Sequence, residues 1–145
     1  MAVKYLGDIG ATEAVPQILR LVSAGDPITR STSIRSLTKL GAVDAVDELE
    51  RVIAEDESGT VRTHAVSAIS RLGAPDRVLP VLFGALDDPD GSVSACAAHH
   101  IGRLGDGSAI PALVEAKESH SFVRGGAYRK AIRKIRRRHG RRWPA

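Results

Sequence analysis

Apolar residues recur along this chain at a helical spacing, and the pattern itself repeats every 31 or 32 residues. Each copy ends in a glycine that follows Leu or Ile: Gly10, Gly41, Gly73 and Gly105. Apolar or small residues lie eight, four and one positions before each glycine, which places them on one face of a helix. These residues are Ala2, Leu6, Ile9, Ser33, Leu37, Leu40, Ala65, Ile69, Leu72, Ala97, Ile101 and Leu104.

A second apolar stripe follows each glycine and predicts a second helix in each copy. Its residues are Val15, Ile18, Val22, Val46, Leu49, Ile53, Leu79, Leu82, Leu86, Ile110 and Leu113. We expect each glycine to take the left-handed backbone that ends many helices. We also expect Leu72 and Leu104 to be fully buried between hairpins.

A fixed period of this length is typical of a solenoid, in which each unit buries its apolar face against the next. The sequence therefore predicts an all-α fold, a right-handed α-solenoid of about four and a half helical hairpins. We assign a single domain to residues 1–138, followed by a loose basic tail at 139–145. The predicted repeats are 1–28, 29–60, 61–92 and 93–120, with a final basic helix at 121–138.

The repeated phrase resembles HEAT repeats, and most closely the short HEAT-like repeats of phycobilisome lyases. It consists of an acidic turn, Val-Arg, two small residues, Leu-Gly and then Ala-Ile-Pro, and it is clearest at residues 106–111. The resemblance implies a ladder of turn acids and arginines that links neighbouring repeats. Its members here would be Asp26, Asp90, Arg30, Arg62 and Arg124, with Ser94 standing where the fourth copy would carry arginine.

The resemblance also bears on function, because the family includes adaptors, scaffolds and lyase subunits, and related helical-repeat enzymes excise alkylated bases from DNA. Our first hypothesis is a non-enzymatic module that binds a protein or peptide. An enzyme, whether a lyase or a DNA glycosylase, is the least favoured hypothesis, since we find no catalytic set of residues. We expect no cofactor and no metal.

The protein-binding hypothesis places the partner on the outward ridge of the second helices, which lines the concave face in this family. The ridge is polar in the first two copies and apolar in the third, an arrangement typical of a protein-binding groove. The residues assigned to it are Gln17, Arg20, Glu48, Arg51, Val81, Phe83, Gly84 and Glu115.

Charge is distributed unevenly along the chain. All 17 acidic residues precede position 124, whereas ten of the 21 Lys and Arg residues lie at 124–145. Such asymmetry suggests an electrostatic partner for the basic end. The alternative hypothesis is therefore a nucleic-acid- or ribosome-associated factor whose C-terminal helix contacts phosphates. The residues assigned to this polyanion site are Arg129, Arg133, Arg136, Arg137, Arg138, Arg141 and Arg142.

A small group of Cys and His residues is the one arrangement in which a metal site is geometrically conceivable. Cys96 and His100 are four apart and share a helix face, His99 lies beside them, and His64 precedes Cys96 by 32 residues. Structural zinc needs four close ligands, whereas equivalent positions on adjacent repeat helices are about 10 Å apart. The favoured interpretation is a buried thiol beside partly exposed histidines.

Three further expectations concern the environment of the chain. A single cysteine fits a reducing compartment, so we expect a cytoplasmic protein. No apolar run reaches the length of a membrane span, so we expect no membrane partner. The first helix begins without a capping repeat, so Val3 and Leu6 are expected to pack on another copy of the chain or on a partner.

Overall fold

The computed structural model describes residues 2–119 and 125–140, and these residues form nine α-helices and no strand. The helices are α1 Ala2–Asp8, α2 Val15–Leu21, α3 Pro27–Lys39, α4 Val46–Glu55, α5 Gly59–Leu72, α6 Pro75–Ala85, α7 Gly91–Leu104, α8 Ile110–Ser119 and α9 Gly125–His139. Short 3-10 turns lead into α2, α4 and α8. The prediction of an all-α chain of helical hairpins is confirmed.

The chain divides into two compact units, Met1–Ala74 and Pro75–Ala145. The boundary falls inside the predicted third repeat, between its first helix α5 and its second helix α6. Here Pro75 begins α6 almost at once, without the 3-10 turn found in the other hairpins. Proline suits the first position of a helix because its missing N–H would have no partner there.

In the first unit, α3 packs against α1, α2 and α5, and α4 packs against α5. The first helices of the hairpins thus lie side by side, and each second helix packs on the first helix of the next hairpin. The buried stripes of the sequence form the core, with Ile34, Leu37 and Ile69 excluded from solvent. This is the packing order expected of an α-solenoid.

The second unit follows the same rule. α6 packs on α7, α8 packs on α9, and α7 lies beside α9. Its core contains Leu82, Ile101, Leu113, Tyr128 and Ile135, all fully buried. In the α6 stripe Val78 is fully buried and Leu79 only partly, because the extra residue in this turn shifts the helix by one position.

The four repeat glycines end their helices in two different ways. Gly10 and Gly41 have φ values of 72° and 65°, which confirms the predicted left-handed turn. Gly73 and Gly105 are extended, with φ values of −92° and −79°, so the prediction is wrong for these two. At Gly105 the chain leaves α7 directly in an extended conformation towards Asp106. Glycine is still needed there because a Cβ would lie 2.9 Å from the Ile101 carbonyl oxygen.

The predicted full burial of Leu72 and Leu104 is also wrong, since both are half-buried. They belong to the last turn of α5 and α7, where one side of the helix end is open to solvent. The residues three positions earlier, Ile69 and Ile101, are fully buried and carry the packing in their place.

Two glycines inside helices mark places where first helices approach each other closely. A Cβ on Gly7 of α1 would lie 2.7 Å from Cβ of Ser36 in α3. A Cβ on Gly102 of α7 would lie 2.7 Å from Cα of Ala131 in α9. These distances are far below ordinary contact distance, so each glycine allows two backbones to pack closer than side chains would permit.

Candidate functional site

Helix α9 has one buried face and a broad basic face. Tyr128, Ala131, Ile132 and Ile135 are buried, and they recur at the spacing of a helical stripe. Every Lys and Arg between Arg129 and Arg138 is exposed. Packing on α7 and α8 therefore fixes the helix while its cations stay in solvent.

A groove of about 510 Å³ runs between α8 and α9. Its polar lining consists of five cations, one from α8 and four from α9, and its apolar lining is one residue from each helix. The lining residues are Val114, Lys117, Arg129, Ile132, Arg133, Arg136 and Arg137. Because no acidic side chain lines the groove, it is positively charged along its length.

Only some residues of the predicted polyanion site line the groove. Arg129, Arg133, Arg136 and Arg137 line it, whereas Arg141 and Arg142 lie outside the described residues. Lys117 was not assigned to the site from the sequence. Its position beside the arginines depends on how α8 packs on α9, which spacing along the chain does not reveal.

Arg138 differs from the neighbouring arginines because its side chain makes hydrogen bonds with the end of α7. Its guanidinium donates hydrogen bonds to the carbonyl oxygens of Arg103, at 2.8 Å, and of Gly105. Both carbonyls belong to the end of α7, where the last C=O groups of a helix lack partners within it. Arg138 therefore ties the end of α9 to the end of α7.

Replacing Arg138 with glutamine should lower the free energy of unfolding by about 0.5–1 kcal/mol, because a cation that bonds the carbonyl end of α7 is lost. Arg137→Gln is the matched control, since Arg137 lines the open groove, and it should change stability much less. Urea denaturation of both variants measures the difference. Equal effects of the two substitutions would show that the Arg138 side chain contributes only its charge, and that its hydrogen bonds to α7 do not stabilise the fold.

The predicted ridge in the first unit is polar, and two of its side chains already form hydrogen bonds with each other. Gln17 and Arg20 are exposed on α2. Glu48 on α4 accepts hydrogen bonds from Ser23 and from Arg51, the latter at 2.6 Å. Burial opposes ionisation of Glu48, but these two hydrogen bonds outweigh it and lower its pKa.

In the second unit the predicted ridge residues lie on α6 and α8. Val81 and Phe83 are half-buried, while Gly84 and Glu115 are exposed. A Cβ at Gly84 would meet no atom within 4 Å, so this part of α6 faces open space. The described residues thus contain a partly exposed apolar segment of α6, and its role as a binding surface stays a prediction.

The acid and arginine ladder uses a different acid from those the resemblance implied. Arg30 donates to both carboxylate oxygens of Asp56, at 2.7 and 3.0 Å, and to the carbonyl of Gly25. The hydrogen bond with Asp56 raises the pKa of Arg30. Arg62 donates to the backbone carbonyl of Asp56 at 2.7 Å. This three-residue arrangement joins successive turns of the first unit.

Asp26 and Asp90, the acids that the resemblance implied, act as helix caps. The Asp26 carboxylate accepts from the Thr29 N–H, and the Asp90 carboxylate from the Ser92 N–H, each at 2.7 Å. The bond from Thr29 lowers the pKa of Asp26. Such caps satisfy N–H groups that a helix leaves without partners. Arg124 lies outside the described residues.

The Cys and His residues of α7 form no ligand cluster. Burial raises the pKa of the Cys96 thiol, which makes it a poorer nucleophile and metal ligand. His99 and His100 pack edge to face with ring centroids 5.0 Å apart. Across the described part of the chain, no three His, Cys, Asp or Glu side chains converge as metal ligands would.

Among the residues that the structure describes, no helix has the length and apolar character needed to cross a bilayer. At the N-terminal edge Val3 and Leu6 are half-buried, while Tyr5 and Ile9 are 64% and 57% exposed. Self-association through this edge stays a prediction.

Comparison with known proteins agrees with the packing. A family model described as HEAT repeats matches residues 1–70 and 53–132. No curated protein shows significant similarity to the chain. The matched family describes HEAT repeats in general, so the phycobilisome-lyase-like type stays a prediction. With its helical hairpins, its repeat period and this match over most of its length, the chain belongs to the HEAT-repeat family.

Proposed function

We propose that this protein is a non-enzymatic interaction module that binds an acidic, amphipathic segment of a partner protein in the groove between α8 and α9. HEAT repeats are commonly modules for protein interaction or scaffolding. The observation that carries the proposal is the lining of the groove, in which five cations surround Val114 and Ile132.

The apolar lining favours a peptide over a phosphate backbone. A peptide helix can place an apolar side chain on the half-buried Val114, beside the small exposed part of Ile132, and acidic side chains on the surrounding arginines and lysine. A phosphate backbone would use the cations alone and leave the apolar surface uncovered.

The first unit supports a helical occupant. There two polar contacts join α4 to α3 and to the turn after α2, the pair equivalent to α9 and α8. Glu48 of α4 accepts from Ser23 just beyond α2, and Asp56 at the end of α4 accepts from Arg30 of α3. In both contacts the acid comes from the added helix. An acidic helix between α8 and α9 would repeat this arrangement.

The partly exposed apolar segment of α6 is a second candidate contact surface. Val81 and Phe83 are half-buried there, and the exposed Gly84 leaves room beside them. We place the principal site between α8 and α9 because its charge specifies the chemistry of the partner, whereas the α6 segment specifies only an apolar contact.

The test uses a synthetic peptide helix with Leu along one face and Glu along the other, labelled for fluorescence anisotropy. The groove triple variant, Arg129→Gln, Arg133→Gln and Arg136→Gln, should bind it about tenfold more weakly, since three exposed ion pairs contribute about 0.5 kcal/mol each. The outer triple variant, Arg103→Gln, Lys130→Gln and Lys134→Gln, also removes three positive charges and should bind like the parent.

A peptide in which Gln replaces Glu reports the apolar contribution alone and should bind more weakly to the parent. Equal binding of the acidic peptide to the two triple variants would overturn the proposal, because affinity would then follow net charge. If the parent bound labelled RNA instead of the peptide, and the groove triple variant lost that binding, the groove would be a polyanion site, as the alternative hypothesis states.

A further inference from the structure

The first helices of the hairpins after α1 contain no acidic residue. None of α3, α5, α7 and α9 includes Asp or Glu, while all four carry Lys, Arg or His. Acidic residues lie on the second helices, in the turns and at Asp8. This separation of charge is independent of the groove between α8 and α9, and it has no counterpart in the sequence-based hypotheses above.

In the first unit this separation produces a basic groove between α3 and α5, with a volume of about 470 Å³. Arg35, Lys39, His64 and Arg71 line it together with two hydroxyl side chains and small or apolar residues. The other lining residues are Thr38, Gly41, Ser67, Ala68 and Leu72.

Asp8 partly neutralises the edge of this groove. Asp8 forms an ion pair with Lys39, and its pKa is lowered chiefly by that hydrogen bond and further by the positive charges of Lys4 and Arg35. Arg35 and Arg71 are exposed, and within the described residues neither forms an ion pair of its own. The groove therefore keeps a net positive charge.

The second unit carries a similar surface on α7 and α9. His99 is exposed there, and its pKa is lowered first by the part of the ring that packing removes from water and then by the positive charges of Lys134, Lys130 and Arg103. Three cations thus lie close enough to His99 to oppose its protonation. This outer face of α9 is distinct from the face that lines the groove with α8, since neither Lys130 nor Lys134 lines that groove.

Stabilisation of the helices explains only part of this pattern. Lys39, Arg71 and Arg103 lie in the last turns of their helices, where a cation complements the helix dipole. At the starts of α3 and α7 the capping carboxylates of Asp26 and Asp90 complement the same dipole. Arg35 and Lys130, however, lie outside the last turns of their helices, so the helix dipole does not account for their charge.

We propose that these two surfaces, which we call the outer basic faces, bind the phosphate backbone of a nucleic acid without reading its bases. The face of the first unit comprises Arg35, Lys39 and Arg71, and that of the second comprises Arg103, Lys130 and Lys134. Arg, Lys and Ser side chains are usual donors to phosphate oxygens, and the α3–α5 groove offers all three types.

The composition of these faces argues against a membrane or a peptide. Large apolar side chains that are highly exposed in the described part of the chain are Tyr5, Ile9, Ile28 and Val43. None lies on α5, α7 or α9, and α3 carries Ile28, two turns before Arg35. One exposed apolar side chain is too small an anchor for a bilayer or for an amphipathic peptide. Phosphate groups need no such anchor.

The experiment measures anisotropy of a short labelled single-stranded RNA at increasing salt. Each phosphate contact contributes about −0.7 to the slope of log affinity against log salt concentration. The outer triple variant should therefore flatten the slope by about 2, and Arg35→Gln with Arg71→Gln by about 1.4. The replaced side chains are exposed, and thermal unfolding of each variant checks that the fold is retained.

The groove triple variant is the matched control, since it also removes three positive charges and alters α9 as well. It should change the slope much less than the outer triple. Equal flattening by the two triples would overturn the proposal, because binding would then follow net charge alone. Absence of RNA binding at low salt would also overturn it. Neither result bears on acidic-peptide binding to the groove, so the two proposals fail independently.

Discussion

Replacing Gly102 with alanine should lower the free energy of unfolding by about 1–3 kcal/mol, the usual cost of forcing an extra methyl group into a packed core. The new Cβ would lie 2.7 Å from Cα and 2.8 Å from Cβ of Ala131. Because the first of these atoms is backbone, no side-chain rotation can relieve the overlap. Helix α9 would have to move away from α7.

Gly84→Ala is the matched control within the same unit. Gly84 is exposed on α6, and its new Cβ would meet nothing within 4 Å. Alanine there should stabilise the protein by up to about 1 kcal/mol, since glycine in a helix loses more backbone entropy on folding. Urea denaturation should therefore show opposite signs for the two substitutions. A stabilising Gly102→Ala would contradict the close approach of α7 and α9.

The helices and their buried faces could be predicted because the apolar residues repeat at fixed positions. Leu37, Ile69 and Ile101, each four residues before a repeat glycine, are fully buried, as the stripe requires. This regularity survives because the helices within each unit pack on their neighbours by the same rule. A pattern repeated four times is a stronger signal than any single helix provides.

The ends of the helices could not be predicted as well. Gly41 is left-handed while Gly105 is extended, although both follow leucine. After Gly105 the Asp106 carboxylate accepts a hydrogen bond from the Ser108 N–H at 2.9 Å and caps the next 3-10 turn, whereas Ala42 after Gly41 has no side chain that could cap. The acid alone does not explain the conformation, because Gly73 is also extended and Ala74 follows it.

The closely packed glycines were also missed, although the sequence held a clue. Three positions before the repeat glycines stand Gly7, Thr38, Ser70 and Gly102, all small. The hydroxyl groups of Thr38 and Ser70 donate to the carbonyl oxygens of Ile34 and Val66, four residues earlier. A small residue is therefore a general requirement of this position, and glycine meets it where the neighbouring helix comes nearest.

Part of the candidate site could likewise be predicted from the sequence, and part could not. The run of cations in α9 was evident from composition, and so was their joint attraction for an anion. Which cations share a groove depends on the neighbouring helices, so the sequence did not reveal that Lys117 lies beside the arginines or that Arg138 bonds the end of α7. The outer basic faces were missed for another reason. The net charge of a stretch of sequence sums over both helices of a hairpin, so it does not show that the first helices carry no acid.

Ile101→Ala should lower the free energy of unfolding by about 2–5 kcal/mol, the usual range for truncating a fully buried aliphatic side chain. Ile101 lies in the middle of the α7 stripe and has no solvent exposure. Removing its outer carbons leaves a cavity that the rigid packing of α7 against α9 can fill only in part. The loss therefore includes both transfer and cavity contributions.

Leu104→Ala removes a side chain of similar size from the same helix and is the matched control. Leu104 is half-buried in the last turn of α7, so water can occupy the space that its side chain leaves. Its cost should be about half that of Ile101→Ala or less, since both the buried area and the cavity are smaller. Differential scanning calorimetry and urea denaturation of the two variants provide the comparison. A larger loss for Leu104→Ala would show that the α7 stripe is centred one turn later than the structure has it.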